Sequence, residues 1–203
     1  MTARVEHIVT SGTFSLDGGD YAVENNVWLV GDDQEVIVID AAHDADAILA
    51  AVGDRRLMAV VSTHGHNDHI NAAPQVGDTK GAPVLLHPAD QELWSMVFPD
   101  QVPDGDLTHE ETMDVAATQL RVLHTPGHSP GSVSIYAPAL RVVFSGDTLF
   151  RGGPGATGRS YSSQPEIMQS IRGVLMSLPP ETVVHTGHGE DTTIGDEAPR
   201  FAE

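Results

Sequence analysis

The chain has 203 residues, enough for one sizeable core, and apolar residues make up 40% of it, the level of an ordinary soluble globule. It carries 29 acidic against 10 basic residues, a formal charge of −19, which repels phosphate backbones and argues against nucleic acid as a partner. It has no cysteine, so disulfides and thiolate ligands are excluded, and any transition metal must be held by imidazole and carboxylate.

Positions 1–20 lack a basic start followed by an apolar run, so no signal peptide is expected there. No stretch approaches the ~18 apolar residues of a membrane span. With the missing cysteines this points to the cytoplasm. Short Val- and Ile-rich runs at 27–30, 36–39, 58–61, 84–86, 142–144 and 182–184 read as buried strands, with further candidates at 5–9 and 120–123. Helices are expected at 45–52, after the N-cap candidate Asp44; at 88–97, which opens with a tolerated proline; and at 165–178, where Ile167, Ile171, Val174 and Leu178 recur at helical spacing before Pro179 and Pro180. The tail 191–203 reads as a surface segment. Strands and helices mix throughout, which gives an α/β class in a single domain over 1–203. A short internal echo, VVSTHGH at 60–66 and VVHTGHG at 183–189, points to two similar halves.

The chemistry concentrates at positions 63–69, THGHNDH, directly after an apolar strand. His64 and His66 are two apart and can point the same way in extended backbone, while Asp68 and His69 follow where the chain turns toward a helix. Three imidazoles and a carboxylate in six residues have no packing rationale, because buried polar groups must be satisfied. One tetrahedral ion could not easily use four groups from so tight a loop, so the pattern predicts two metals. Three further segments pair a strand with a Gly-flanked polar residue: LHTPGHSPG offers His128, FSGDT offers Asp147, and HTGHG offers His188. Taken singly, His128 or His188 would read as a surface or core histidine. Together the ligands divide into His64, His66 and His128 for one ion and Asp68, His69 and His188 for the other, with Asp147 bridging. His7, His43, His87 and His109 read as structural or exposed, and His124 and His185 as neighbours of the site. Asp40, at a strand end, reads either as a group orienting a ligand histidine or as a turn residue.

With His128, Asp147 and His188 downstream in that order, THGHNDH resembles the metallo-β-lactamase superfamily. The resemblance spans about 27–189 and implies an αββα sandwich, two mixed sheets flanked by helices with the metals at one edge. Within it, TPGHSPGS, SGDTLF and TGHG are similar to hydroxyacylglutathione hydrolase (glyoxalase II), as is GRSY at 158–161, which resembles that family's G-[KR]-x-Y segment. The resemblance implies Arg159 and Tyr161 as substrate contacts. It also implies two divalent ions, zinc by preference with iron or manganese as alternatives. Long glyoxalase II proteins add a C-terminal helical domain that grips glutathione; this chain is closer to the short hydrolases.

Two such ions sharing a water lower its pKa toward ~7. That nucleophile suits a thioester, whose thiol (pKa ~8.5) leaves without a strong general acid. Asp68 and Asp147 are the candidate proton acceptors. The expected substrate is a small thioester; an iron persulfide dioxygenase using His64, His128 and Asp147, and a lactonase, are the alternative readings. The sequence does not fix the oligomeric state.

Overall fold

The computed structural model describes residues 3–202; Met1, Thr2 and Glu203, at the ends of the N-terminal segment and the tail, lie outside the described residues. The first half runs β1 (Arg4–Leu16), β2 (Gly19–Gly31), β3 (Glu35–Ile39), α1 (Ala45–Val52), β4 (Arg56–Val61), α2 (Asn67–Ile70), α3 (Ala73–Lys80), β5 (Val84–Leu86), α4 (Gln91–Val97) and β6 (Gly105–Asp106). The second half runs β7 (Thr112–Val115), β8 (Thr118–His124), β9 (Val133–Ala137), β10 (Val142–Gly146), β11 (Leu149–Phe150), β12 (Gly153–Pro154), α5 (Gln164–Gly173), β13 (Val183–Thr186), β14 (Thr192–Thr193) and α6 (Ile194–Phe201). Six strands form each large sheet, in the order β1-β2-β3-β4-β5-β6 and β14-β13-β10-β9-β8-β7. Both sheets are mixed: β3-β4-β5-β6 and β10-β13 are parallel, and the other pairs antiparallel.

The sequence dictates the layers through the two-residue period of a strand. On β2, Val27 and Leu29 point to one face and pack with Ile48 of α1, Val76 of α3 and Trp94 of α4. Trp28 and Val30 point to the other face and meet Leu120, Val122, Ile135 and Phe144 of the second sheet. Behind that sheet, Val143 and Val184 pack against Ile167 and Ile171 of α5 and Phe201 of α6. Strands covered on both faces lose the alternation and read as continuous apolar runs, as 27–30 and 36–39 do. Each fully buried aliphatic side chain contributes roughly 1.5–3 kcal/mol. The result is the expected αββα sandwich. Among the described residues no helix is long and apolar enough to cross a membrane.

Several elements differ from the sequence expectation. The candidates at 5–9 and 27–30 are parts of one hairpin of two 13-residue strands, in register from Arg4 opposite Gly31 to Leu16 opposite Gly19. Its outer part is largely exposed, so it carries no long apolar run. The 88–97 helix opens with a separate 3-10 turn at Pro88–Asp90, and the 165–178 helix stops at Gly173 before a second 3-10 turn at Leu175–Ser177. Strands β7 and β9 and helix α3 were not anticipated. The tail is no mere surface segment either: β14 and α6 bury Ile194 and Phe201 against the second sheet, and Asp196 N–H caps onto the Thr193 hydroxyl at 3.0 Å. The echo between halves has a structural counterpart. The parallel pairs β3-β4 and β10-β13 occupy corresponding places, and their ends deliver Asp40 and the THGHNDH loop on one side, Asp147 and the His188 loop on the other.

Candidate metal centre

Loops leaving β4, β8, β10 and β13 converge at one edge of the sandwich. His64 Nε2 and His128 Nε2 each lie 3.0 Å from His66 Nδ1, and the three rings stand nearly perpendicular to one another. In a second group, His69 Nε2 and His188 Nε2 are 3.3 Å apart, with Asp68 Oδ2 at 3.6 and 3.4 Å from them. Asp147 reaches into both: its Oδ2 is 3.5 Å from His128 Nε2 and 3.4 Å from His188 Nε2, and its Oδ1 is 3.4 Å from His69 Nε2. All seven side chains singled out in the sequence therefore meet in one cluster. Two glycines make room for it. A Cβ on Gly187 would fall 2.2 Å from Asp147 Oδ1, and one on Gly146, whose φ is +49°, would fall 2.3 Å from Thr63 Oγ1.

The outward nitrogens fix which atoms face inward. His69 Nδ1 donates to Asp40 Oδ2 (3.0 Å), His128 Nδ1 to the Ala156 carbonyl (2.9 Å), His188 Nδ1 to the Glu24 carbonyl (2.6 Å), and His64 Nδ1 lies 3.1 Å from Thr63 Oγ1. Asp40 Oδ1 and Oδ2 also accept from the Thr63 amide and hydroxyl, so of the two readings of Asp40 the structure supports the orienting one. His64, His66 and His69 are all at least 96% buried, yet their inward nitrogens meet other nitrogens.

That arrangement fits a cation. With the outer protons of His64 and His128 already engaged, two lone pairs are aimed at His66 Nδ1, which has at most one proton to share. Asp147 Oδ1 is buried without a hydrogen bond. Such groups are costly unless a further partner satisfies them. Nitrogens at ~2.0–2.1 Å from a tetrahedral zinc lie ~3.3 Å from one another, close to the spacings found. Three groups have ligand atoms within 4.8 Å of one another: His64, His66 and His128; His64, His69 and Asp147; and Asp68, His69 and His188.

The two groups differ in charge. Burial, reinforced by neighbouring imidazoles, pushes His64 well below the usual histidine value and His66 down to about 3. Burial opposes charge at His69 and His188 as well, but Asp68, Asp147 and Asp40 outweigh it at His69, lifting it to about 9, and Asp147 and Asp68 lift His188 to about 11. Burial resists ionisation of Asp68, yet His69 and hydrogen bonds from His188 and Asn25 hold it down at about 2; Asp147 also lies well below its usual value, burial being outweighed by His69, His188 and His128.

Beside the cluster is a cavity of about 230 Å³ lined by His66, Asp68, His128, Asp147 and His188 on its floor. Its walls come from Phe14, Tyr21 and Val23 of the hairpin and from Ala156, Arg159, Ser160 and Ser162. The hairpin is tied to the centre through Asn67, whose side chain accepts from Ser15 N–H and donates to the Thr13 carbonyl. The Arg159 guanidinium lies 4.4 Å from the Tyr21 ring centroid and 5.4 Å from that of Phe14. Tyr161 is placed differently from Arg159: it is not on the cavity wall, and its hydroxyl donates to Glu92 at 2.8 Å.

Sequence reasoning missed the residues of β2 that hold the second group. Asn25 Nδ2 donates to Asp68 Oδ2 at 3.1 Å and its Oδ1 meets His43 Nε2 at 2.9 Å; Asn26 Nδ2 donates to the Thr186 and Gly189 carbonyls that flank His188. Two buried asparagines inside an apolar strand were the available signal. His43 and His7, read as structural or exposed, support these asparagines. His124 and His185 stay outside the cluster, His124 stacked on His87 and His185 tilted against Trp28.

The chain matches the Metallo-beta-lactamase superfamily over residues 20–188. It belongs to that superfamily. It is similar to a protein named hydroxyacylglutathione hydrolase GloC from Haemophilus influenzae, at 29% identity over 87% of this chain and 91% of the relative. Among solved structures it is similar to the B3 metallo-beta-lactamase BLEG-1, with a TM-score of 0.80 and 31% identity over 94% of this chain and 97% of that one. It is also similar to TTHA1623 in a di-iron-bound form, with a TM-score of 0.74 and 34% identity over 93% of this chain and 96% of that one.

Proposed function

We propose that this metal-dependent hydrolase is a dinuclear, cytoplasmic enzyme that cleaves thioesters of a low-molecular-weight thiol. The observation that carries the reading is Asp147, whose carboxylate touches His128 of one ligand group and His69 and His188 of the other, so that both groups serve one cavity. His64, His66 and His128 would hold one divalent ion, Asp68, His69 and His188 the second, and Asp147 both. An all-imidazole and carboxylate set suits zinc, and also iron or manganese; the similarity to a di-iron protein keeps iron in view. When bound, such ions supply a water activated at neutral pH and positive charge for a developing oxyanion.

The protein's own groups account for the rest. Asp68 and Asp147 stay ionised and are the proton acceptors at the cavity floor. Asn25 holds Asp68 Oδ2 in place, and Asp40 holds the His69 ring. Phe14, Tyr21 and Val23 exclude water from one side of a bound acyl chain. Beyond the ligands, the wall groups include hydroxyls and a guanidinium but no carboxylic acid, so the cavity favours a leaving group that departs as an anion. A thiolate meets that requirement where an amine does not. The similarity to a hydroxyacylglutathione hydrolase supports the same class.

A panel of a thioester, a lactone and a β-lactam, with oxygen uptake followed on a persulfide, tests the reading. The thioester is expected to show the highest kcat/KM, with no oxygen consumed on the persulfide. Faster turnover of the lactone or β-lactam, or stoichiometric oxygen uptake, would replace the thioesterase reading.

A further inference from the structure

Asp90 is fully buried and belongs to neither ligand group. It stands at the junction between the Pro88–Asp90 turn and α4, in the N-cap position, where an aspartate ordinarily accepts from its own helix. Here it makes no such bond. Its carboxylate turns toward the metal-ligand loops instead. Oδ2 accepts from the Gly65 amide at 2.7 Å and from the Ser129 hydroxyl at 2.6 Å; Oδ1 accepts from the Gly131 amide at 2.6 Å. Gly65 lies between His64 and His66, and Ser129 directly follows His128.

We propose that Asp90 is a positioning residue that locks the loop bearing His64 and His66 to the loop bearing His128, and so sets the geometry of the three-imidazole group. The close packing around it supports a built clamp. A Cβ on Gly65 would come within 3.0 Å of Asp90 Cβ and its carbonyl oxygen, and one on Gly131 within 2.7 Å of Asp90 Cγ, so glycine at both places lets the amides reach the carboxylate. A backbone bond from Val133 to Thr63 joins the same two segments one step further out, which keeps the fold itself from resting on the clamp. Three donors and no acceptor face the two oxygens. An asparagine of the same shape would aim its amide N–H groups at one or two of those donors, splaying the loops without opening a cavity. The His69 and His188 supports on β2 and at Asp40 share no bond with Asp90 and should be unaffected.

The inference rests on the ligand assignment above and is independent of the substrate. Its test is the Asp90→Asn protein, freed of metal, reloaded with zinc and, separately, with cobalt(II), with metal counted per chain and the cobalt visible spectrum recorded. The wild type is expected to hold two ions. The variant is expected to keep one and to bind the other about 10- to 100-fold more weakly, the range for lost orienting partners, with loss of the cobalt bands of the weakened site. Ser129→Ala removes one of the three bonds; it should show the same spectral change in smaller measure, and it serves if Asp90→Asn does not fold. Two ions with unchanged affinity and spectrum in either folded variant would overturn the clamp. A wild type that binds no metal would instead remove the ligand assignment on which it stands.

Discussion

In one half of the centre, His64, His66 and His128 face one another, and their carboxylate contact is Asp147, 3.5 Å from His128 Nε2. In the other half, Asp68 and Asp147 both approach His69 and His188, and Asp40 backs His69 at 3.0 Å. Burial is nearly complete at His64, His66 and His69 alike, so desolvation alone does not separate the halves. Carboxylates do. Where they are few, burial keeps an imidazole neutral, as at His66 near 3; where they are close, they overcome it, as at His69 near 9 and His188 near 11. The comparison teaches that His64 and His66 are ready to receive a cation without losing a proton, whereas His69 and His188 hold protons where the cation would sit.

The sharpest way to break that comparison is to measure metal affinity against pH. Below about 9, His69 in the metal-free protein is protonated, and His188 remains so to still higher pH. A cation must displace those protons, so affinity at the Asp68, His69 and His188 side should rise with pH, by between about 10- and 100-fold per unit for one or two protons released. The three-imidazole side should vary less with pH, because two of its three ligands, His64 and His66, are already neutral from pH 5 to 8. Calorimetric titration in buffers of different ionisation heat counts the protons at each step. Equal proton release at the two steps would erase the distinction.

His66→Ala probes the neutral half from within. It removes the nitrogen that both His64 and His128 face, so activity should fall by more than the about 100-fold typical of losing an orienting partner, and metal content should drop. Full turnover with normal metal content would remove His66 from the centre.

The same contrast explains how much was legible in the sequence. The side chains that meet in the cluster carry their own signal, because three imidazoles and an aspartate in six residues are chemically improbable as packing. The groups that position them mostly do not. Asp90 reads locally as a helix cap, and only the fold shows its carboxylate turned toward Gly65 and Gly131. Asn25 sits 43 residues from the Asp68 it holds, beyond any local pattern. Among elements, strands buried on both faces announced themselves as apolar runs, while the exposed outer part of the β1-β2 hairpin and the short α6 did not, since their apolar positions are diluted by solvent-facing ones.

The smallest expected effect lies at the rim. Arg159 is the cation on the cavity wall of a chain whose formal charge is −19, and among the described residues its guanidinium makes aromatic contacts but no hydrogen bond or ion pair. Its five donors are therefore free for an anionic group on a bound thioester, and the Tyr21 and Phe14 rings keep it near the cavity without using those donors. It lies outside both ligand groups, so its loss should weaken binding of substrate and transition state together. Arg159→Ala should raise KM for a carboxylate-bearing thioester more than it lowers kcat, by about 3- to 10-fold, the scale of one partly exposed charged contact. A neutral thioester of the same size should show little change. An unchanged KM for the carboxylate-bearing substrate would take Arg159 out of recognition.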